Sequence, residues 1–362
     1  MRVIACGSPY GKGGVGQHFA QLVEESREAG ALARYYAPAI KQGDEEKGRS
    51  VSLKPFRRMN ALRWCLPASM SQSWSSQKKG DVFDRVIASC LTRPEETFMG
   101  FVGKTLRSFR RARQVGYKEL ELVAVNSHVN NLKRLHEQAR RQLKMESSWL
   151  NEAQRTKTLR EYELADTIYV HSEYTRQSFI EAGIEAAKLK RTYLRPASRF
   201  VPPAVRPDDG VFRVVYIGRL DATKGIPLLM EAFSRLRVGT AELTLVGGWS
   251  TRSMRRIVEE WMRRDERIRL APGDPLPALH RADVLVHPTY EDGFGYAPVE
   301  ALACGVPVVV TADTGMKELV QEGVNGYVVP TGDWQALLER MEHVARYPLV
   351  SVRSGSLEPS FP

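Results

Sequence analysis

Short apolar runs alternate along most of the chain with longer segments whose apolar residues recur every three or four positions. Short runs bounded by glycine or polar residues indicate buried strands, and the longer spacing indicates amphipathic helices. The N-terminus reads as a strand, a glycine-rich loop, a helix and a second strand: Arg2–Cys6, Gly7–Gly16, a helix from Gln17, and Ala31–Tyr36. A β-loop-α-β opening of this kind is typical of a doubly wound parallel sheet.

The rest of the first half is less regular. The polar region from Lys41 to Lys79 predicts loops and short helices, and Val82–Leu91 either returns to the sheet or covers it. Beyond it the pattern predicts a strand, a long helical region, a strand and a helix, at Glu121–Asn126, Asn131–Tyr162, Asp166–Val170 and Tyr174–Ala182.

The second half repeats the alternation of strands and helices more clearly. Each predicted strand is followed by a crossover long enough for a parallel sheet. The predicted strands are Phe212–Ile217, Glu242–Val246, Ile268–Leu270, Val284–His287, Val306–Thr311 and Tyr327–Val329. The predicted helices are Gly225–Leu236, Thr251–Arg264, Leu276–Arg281, Ala297–Cys304, Met316–Glu322 and Trp334–Ala345.

A proline-rich link between Arg195 and Gly210 marks the predicted domain boundary. We expect an N-terminal Rossmann-like domain over 1–205, a C-terminal one over 206–345 and a short polar tail over 346–362. With 43% hydrophobic residues in 362, the chain can fill two cores of ordinary size. The predicted class is therefore α/β, with two doubly wound domains and a ligand cleft beyond the carboxyl ends of their strands.

The net charge and the positions of the cysteines restrict the classes of function that fit this chain. The net charge of +11 favours an anionic partner, although it also suits a protein that is merely kept soluble. The four cysteines are far apart and form no CxxC pair, so we expect no zinc site. No run of eighteen apolar residues and no signal-like N-terminus are present, which predicts a cytoplasmic protein.

The first chemical motif is the loop Gly218-Arg219-Leu220-Asp221-Ala222-Thr223-Lys224-Gly225, which follows a predicted strand and opens a helix. A helix N-terminus offers free N–H donors and partial positive charge, and Arg219 and Lys224 add two cations. An arginine can grip phosphate oxygens with two nitrogens, whereas a lysine acts as a point charge. The loop therefore predicts a diphosphate site, the alternative being an exposed basic loop.

The second motif follows the predicted strand Val284–His287. Gly293 and Gly295 let the backbone approach a ligand closely, and Pro298 suits the first turn of a helix. Glu300 then lies one turn into that helix, where its carboxylate could accept hydrogen bonds from the two hydroxyls of a ribose. A capped turn with a solvated acid is the alternative.

In this order and spacing the motifs resemble the retaining glycosyltransferases of the GT-B fold, family 4. The resemblance is carried by Gly218-Arg219-x4-Lys224-Gly225, by Asp292-Gly293-Phe294-Gly295-x4-Glu300 with the following Ala301–Val309, and by Glu318 with Asn325-Gly326. It implies two Rossmann-like domains facing across a cleft. It also implies transfer of a sugar from a UDP- or GDP-linked donor to an acceptor hydroxyl, such as a lipid-linked sugar or a surface polysaccharide precursor. Neither a metal nor a cofactor is implied.

The resemblance also assigns roles to residues. Arg219 and Lys224 would bind the donor diphosphate, Glu300 the ribose, and the segment around Gly273 the base. Asp292, which stands where the family has the first of two glutamates, would touch the donor sugar. The implied catalytic set is Arg219, Lys224, Asp292 and His128; the implied binding set is Gly13, Gly14, Gly16, Gly218, Arg219, Lys224, Gly273, Asp292, Gly293, Phe294, Gly295 and Glu300.

The first half carries two weaker signals. Lys12-Gly13-Gly14-Val15-Gly16 resembles the phosphate loop of deviant Walker-type ATPases, but Gln17-His18 replaces the second lysine and the magnesium-binding hydroxyl. A glycosyltransferase loop that approaches the donor phosphate is the favoured interpretation. His128 ends a predicted strand and is a catalytic candidate, with His171 as a second candidate; a structural role is the alternative for both.

Basic residues crowd 104–113 and lie along the helix that contains Lys133, Arg140, Arg141 and Lys144. That helix face either is solvated or binds anionic lipid headgroups or an acidic acceptor, which would place the protein on the cytoplasmic face of a membrane. No nucleic-acid motif accompanies the charges, so we expect no nucleic-acid partner. An epimerase on the same fold and a non-catalytic nucleotide-sugar-binding protein remain the alternative functions.

Overall fold

A computed structural model of the protein describes residues 1–53, 68–144 and 148–349, with side chains from residue 72 onward in the second range. The contacts divide the chain into two units. The first contains Met1–Arg134 and Glu146–Thr192, and the second contains Leu135–Met145 and Tyr193–Pro362. The boundary predicted after residue 205 thus lies within the segment assigned to the second unit.

The described part of the first unit holds a seven-stranded parallel sheet in the order β3-β2-β1-β4-β5-β6-β7. Three of its strands were missed by the sequence pattern, at Gly48–Ser50, Thr97–Phe101 and Leu189–Arg191; the first lies in the region where only loops and short helices were predicted. The strands are β1 (Arg2–Ala5), β2 (Leu32–Ala37), β3 (Gly48–Ser50), β4 (Thr97–Phe101), β5 (Glu119–Val123), β6 (Thr167–Val170) and β7 (Leu189–Arg191).

The described residues of the first half form six helices. Val82–Leu91 lies almost wholly in a long helix, so it covers the sheet and does not enter it. The single helical region predicted over Asn131–Tyr162 is two helices, with residues 145–147 between them outside the described residues. The helices are α1 (Gly13–Glu28), α2 (Ala68–Cys90), α3 (Leu106–Val115), α4 (Val129–Leu143), α5 (Glu152–Leu164) and α6 (Glu173–Glu181).

The second unit holds a six-stranded parallel sheet in the order β10-β9-β8-β11-β12-β13. All six strands were predicted, whereas the helix expected at Met316–Glu322 is a short 3-10 turn at Gly315–Leu319. The strands are β8 (Val211–Ile217), β9 (Thr240–Val246), β10 (Ile268–Leu270), β11 (Val284–His287), β12 (Val308–Thr311) and β13 (Gly326–Val329). The helices are α7 (Ile226–Ser234), α8 (Arg252–Arg264), α9 (Leu276–Leu279), α10 (Tyr296–Ala303) and α11 (Trp334–Arg346).

The sheet of the second unit is covered on both faces. Val214 and Tyr216 belong to one buried cluster and Val215 belongs to another, because neighbouring residues of a strand point to opposite faces. Burial on both faces explains why the central strands β11 and β12 read as short apolar runs.

The C-terminal half of α4 belongs to the second unit. Ala139 is buried in the same cluster as Val214, and Gln142 accepts a hydrogen bond from the hydroxyl of Tyr290 at 2.8 Å. The amide of Gln142 donates to the carbonyl of Gly332. The second unit is therefore built from two separate stretches of the chain.

Candidate functional site

The two motif loops of the second half follow neighbouring strands. β8 and β11 pair in parallel, yet the chain passes from β8 to β9 on the opposite side. This is the switch point of the sheet, where doubly wound folds bind ligands beyond the strand ends. The backbone N–H of Tyr290 donates to the carbonyl of Thr223 at 2.9 Å, which joins the two loops directly.

Lys224 and Asp292 meet at this point. Nζ of Lys224 lies 2.7 Å from Oδ2 of Asp292 and donates to the carbonyl of Glu291 at 3.1 Å. The buried ring of His287 places its Nε2 3.4 Å from the same carboxylate oxygen. Burial alone would raise the pKa of Asp292, but Lys224 and His287 together hold it well below its ordinary value. Asp292 is therefore an anion that fixes the position of the lysine.

Arg219 is positioned by a second acid that the sequence analysis did not select. Nε of Arg219 lies 3.3 Å from Oδ2 of Asp221, which is almost wholly buried. The other oxygen of Asp221 accepts from the backbone N–H and the hydroxyl of Thr223, at 2.8 and 2.7 Å. Since 43% of the Arg219 side chain is exposed, its guanidinium remains accessible to a ligand. Gly218 precedes it and donates its N–H to the carbonyl of Val246.

Gly225 and Gly295 are among the glycines of these loops whose backbone conformations favour glycine. Gly225 has φ of 72°, and a Cβ at this residue would lie 1.9 Å from the carbonyl oxygen of Pro288. Gly295 has φ of 104° and precedes the first turn of α10. Gly225 thus permits the close approach of the two loops that brings Lys224 to Asp292.

The remaining residues of the Asp292–Glu300 motif are largely buried. The Phe294 ring packs in a hydrophobic cluster, while its carbonyl accepts the hydroxyl of Thr314 at 3.1 Å. Gly293 is buried beside it. Only the backbone of these two residues can therefore contribute to ligand binding. Glu300 lies within α10, as predicted, and is also buried.

Arg199 lies near both Glu300 and the segment around Gly273. It forms a 2.7 Å ion pair with Asp274, and the hydrogen bond to Asp274 raises the pKa of Arg199, with Glu300 adding to the shift. Gly273 itself has φ of 118° and open space where a Cβ would be. Sequence reasoning missed Arg199 because it lies in the proline-rich link and not after a strand.

His136 is a further residue that the sequence did not reveal. It lies in the part of α4 that belongs to the second unit and is 5% exposed. Burial lowers its pKa to about 3; Asp221 opposes this shift, and Lys224 and Arg219 add to it. A neutral imidazole therefore lies close to the two cations of the site. Nothing in the sequence pattern indicates that the second half of this helix belongs to the other unit.

The glycines predicted for the first unit lie in a helix and not in a loop. α1 begins at Gly13, so Gly13, Gly14 and Gly16 form its first turn, whereas the sequence placed the start of the helix at Gln17. A Cβ on Gly16 would lie 2.3 Å from the carbonyl of Pro9, which explains why a glycine is needed there. Gly13 and Gly14 are exposed, and their N–H groups belong to the unpaired donors of a helix start.

His128 is placed just before α4 and is 1% exposed. Its ring packs against those of Tyr162 and Phe179, with centroids 5.1 and 5.2 Å away. Burial lowers the pKa of His128 to about 4, and Arg155 adds to the shift. His171 is also buried, and its Nδ1 lies 2.9 Å from the hydroxyl of Thr192. Both rings are thus neutral parts of the first unit's interior.

The described ranges contain neither a metal-binding cluster nor a membrane-spanning helix. There, no three His, Cys, Asp or Glu side chains are grouped so as to hold a metal ion. No described helix is both long and apolar enough to cross a bilayer.

Comparison with known proteins matches the second unit to a family. The profile of the family described as Glycosyl transferases group 1 matches residues 211–346, less than half of the chain. The capsular polysaccharide biosynthesis glycosyltransferase CapM of Staphylococcus aureus is 30% identical over 139 residues, covering 36% of this chain and 36% of CapM. The chain spans less than half the length of the curated relatives it matches.

Solved structures match nearly the whole chain. The sucrose-phosphate synthase of Thermosynechococcus elongatus has a TM-score of 0.69 at 20% identity, covering 96% of this chain and 90% of that one. HepE of Anabaena, in complex with UDP and glucose, has a TM-score of 0.64 at 17% identity, covering 95% and 89%. The predicted GT-B fold, with two parallel sheets in an α/β chain, is thereby confirmed.

Proposed function

We propose that this protein is a retaining glycosyltransferase that moves a sugar from a nucleotide-diphosphate sugar to an acceptor hydroxyl without a metal ion. The observation that carries the proposal is the pair of cations at the switch point of the second sheet. Lys224 is held by Asp292, and Arg219 is held by the buried Asp221. The family match over 211–346 supports the same activity.

The chemistry follows from where these cations lie. Breaking the bond between sugar and diphosphate leaves negative charge on the phosphate, and fixed cations stabilise that charge without reorganising. Arg219 and Lys224 would supply this stabilisation, and Asp292 would orient Lys224. The leaving phosphate itself would take the proton of the acceptor, so no protein base is assigned. Glu300 would bind the ribose, and the backbone of Gly293 and Gly295 the donor sugar.

We propose the classes of donor and acceptor from the names of the relatives. HepE is described in complex with UDP, which supports a UDP-linked donor, with a GDP-linked one as the alternative. CapM is named for capsular polysaccharide biosynthesis, which supports a polysaccharide precursor or a lipid-linked sugar as the acceptor. In the first unit, the start of α1 at Gly13 and Gly14 stays the predicted contact for the donor phosphate. The catalytic role of His128 stays a prediction.

The test is nucleotide binding followed by turnover. Thermal stabilisation by UDP, GDP and ADP and their sugar derivatives, with and without EDTA, would identify the base and show whether a metal is needed. Arg219→Ala and Lys224→Ala should each remove about 2–4 kcal/mol of transition-state stabilisation in donor hydrolysis or transfer assays. Arg256→Ala removes an exposed arginine of α8 and is the matched control.

The outcomes separate the alternatives. Near-normal turnover in both variants would refute the phosphate-binding role of Arg219 and Lys224. Nucleotide-sugar binding without turnover would favour a non-catalytic binding protein, and conversion of the free nucleotide sugar into its epimer would favour an epimerase.

We also propose a cytoplasmic protein that associates with anionic membranes. The predicted basic face of α4 does not belong to one unit, since Lys133 lies in the first and pairs with Glu152, whereas Arg140 and Arg141 lie in the second. On α3, Arg107 and Arg110 are exposed within one unit, opposite the buried Phe109. We therefore assign the lipid-binding surface to α3.

A further inference from the structure

The switch point of the first sheet contains side chains that the proposed reaction does not use. β1 and β4 pair in parallel, while the chain leaves β1 for β2 on the opposite side. Gly7 follows β1, and Lys104 follows β4. Both residues therefore lie at the carboxyl edge of the sheet, where folds of this type bind ligands.

Lys104 extends across the backbone of Gly7. A Cβ built on Gly7 would lie 2.6 Å from Cδ and 3.0 Å from Nζ of Lys104. Only a residue without a side chain leaves this path open to the lysine. The ammonium group is consequently held at the end of β1 and does not extend into solvent.

Helix α2 brings a second lysine to the same place. A Cβ on Gly80 would lie 3.3 Å from the carbonyl of Gly103 and 3.5 Å from Cγ of Lys104, so the helix passes close to this loop. Lys79 precedes Gly80 in the helix. Burial lowers the pKa of Lys104; Cys6 opposes this shift, and Lys79 and then Lys157 add to it. The charges of these lysines therefore act on one another.

The nearby acids are already engaged. Lys157 pairs with Asp81 at 3.2 Å and with Asp84 at 3.0 Å. Asp84 accepts the N–H groups of Arg107 and Ser108, at 3.0 and 2.9 Å, at the start of α3.

Glu161 accepts three backbone N–H groups at the same helix start. These belong to Gly103, to Thr105 at 2.8 Å and to Leu106 at 3.1 Å. Within the described residues, neither Lys79 nor Lys104 forms an ion pair with a carboxylate. Glu161 acts on the charge of Lys104 but is already bound to these backbone groups, so two neighbouring, partly buried cations without an ion-pair partner among the described residues favour the binding of an anion.

We propose that Lys104 and Lys79, held over Gly7 at the edge of the first sheet, form a subsite for the phosphate group of the acceptor. The assignment rests on the proposed glycosyl transfer, which requires an acceptor as well as a donor. A sugar phosphate and a sugar carried on a prenyl diphosphate both present this group. The compact, flexible ammonium groups of two lysines suit a phosphate as point charges.

The test measures anion binding after the donor site has been disabled. In a full-length Arg219→Gln/Lys224→Gln background, the affinity for inorganic pyrophosphate is measured by calorimetry. Adding Lys104→Gln or Lys79→Gln should weaken binding about tenfold or more, as expected for a hydrogen bond to a charged group. Lys118→Gln removes an exposed lysine from the same unit and should leave the affinity unchanged.

A glycine variant tests the geometry without removing a charge. Gly7→Ala places a Cβ where the flexible end of Lys104 lies, so the side chain must move while the backbone can stay. Its pyrophosphate affinity should fall about as much as that of Lys104→Gln, with an unchanged thermal midpoint. If the background chain fails to bind pyrophosphate, or if Lys104→Gln and Gly7→Ala bind as tightly as Lys118→Gln, the subsite is refuted.

Competition then separates the two acceptor classes. Glucose 6-phosphate and geranyl diphosphate are each titrated against bound pyrophosphate, and the stronger competitor identifies the class. Failure of both to compete would overturn the assignment to an acceptor. UDP binding to the unaltered chain reports separately on the proposed function, because that experiment depends on Arg219 and Lys224 and not on Lys104.

Discussion

Gly225 is one of the residues at which the 218–225 loop contacts the loop after β11, and Gly225→Ala tests that contact. The substitution adds one methyl group to a residue with φ of 72°. The new carbon would lie 1.9 Å from the carbonyl oxygen of Pro288, which belongs to the backbone and cannot rotate away. Either the two loops must separate or the backbone of the 218–225 loop must change.

The expected loss of folding stability in Gly225→Ala has two parts. A residue with a Cβ loses about 1–2 kcal/mol in the left-handed conformation. Forcing an extra carbon into a packed contact costs about 1–3 kcal/mol more. For a domain of about 150–250 residues, each kcal/mol lowers the melting temperature by about 2–4 °C. Separation of the loops would also move Lys224 away from Asp292, so the affinity for the donor nucleotide should fall.

Gly323→Ala is the matched control in the same unit. Gly323 has φ of 74°, but the nearest atom to its added Cβ is the hydroxyl of Tyr327 at 3.9 Å. Gly323→Ala should therefore lose the stability that a Cβ costs in the left-handed conformation, but without a steric clash against the backbone. Thermal unfolding of both variants, together with a nucleotide titration, isolates the contribution of the contact with Pro288. Equal melting temperatures for the two variants, with unchanged nucleotide affinity in Gly225→Ala, would refute the close approach of the loops.

Two further predictions concern the first unit. Burial raises the pKa of Glu161 to about 7 in the folded state, against 4.5 in the unfolded state. The folded protein therefore keeps this proton to higher pH, so the free energy of unfolding should fall as the pH rises between these two values. Urea unfolding at pH 5 and pH 8 should show this loss in the parent and a smaller one in Glu161→Gln; an identical loss in both would contradict the assignment. Arg107→Gln/Arg110→Gln should weaken co-sedimentation with phosphatidylserine vesicles about thirtyfold, from about 1 kcal/mol per arginine. Arg255→Gln/Arg256→Gln changes the charge equally on α8 and should have no effect, so equal weakening by both pairs would exclude a specific surface.

The regular second half was predictable because its strands are buried on both faces. Val284–His287 was placed with its observed bounds, since a buried apolar run between polar crossovers leaves little ambiguity. Ile268–Leu270 was also placed with its observed bounds, although its central Arg269 is exposed. Thr97–Phe101 was missed although all five residues are buried, because the run TFMGF contains a threonine and a glycine. The start of α1 was placed too late because Gly13 and Gly14 are poor helix formers, and position in the fold overrides that propensity.

The candidate site was predictable only where it follows a strand. Arg219, Lys224 and Asp292 lie in loops that follow strands. Because the carboxyl ends of parallel strands meet at one edge of the sheet, their positions in the sequence predict that they lie at that edge. Asp221 and His136 are important because they are buried and because they lie near the cations in three dimensions. Neither property can be predicted from the spacing of residues in the sequence. Arg219, Lys224 and Asp292 could be named from the sequence, but Asp221, which holds Arg219, and the buried His136 near both cations could not.

The division of α4 between the two units has a consequence for how the chain is made. Residues 135–145 leave the ribosome before any strand of the unit whose core they help to fill, and Ala139 has no cluster to enter until β8 and β9 have been synthesised. A fragment beginning at residue 193 would lack Ala139 from its core and Gln142 from the hydroxyl of Tyr290. The second unit is thus contiguous in space but not in order of synthesis, and its independent expression requires the helical segment to be supplied as well.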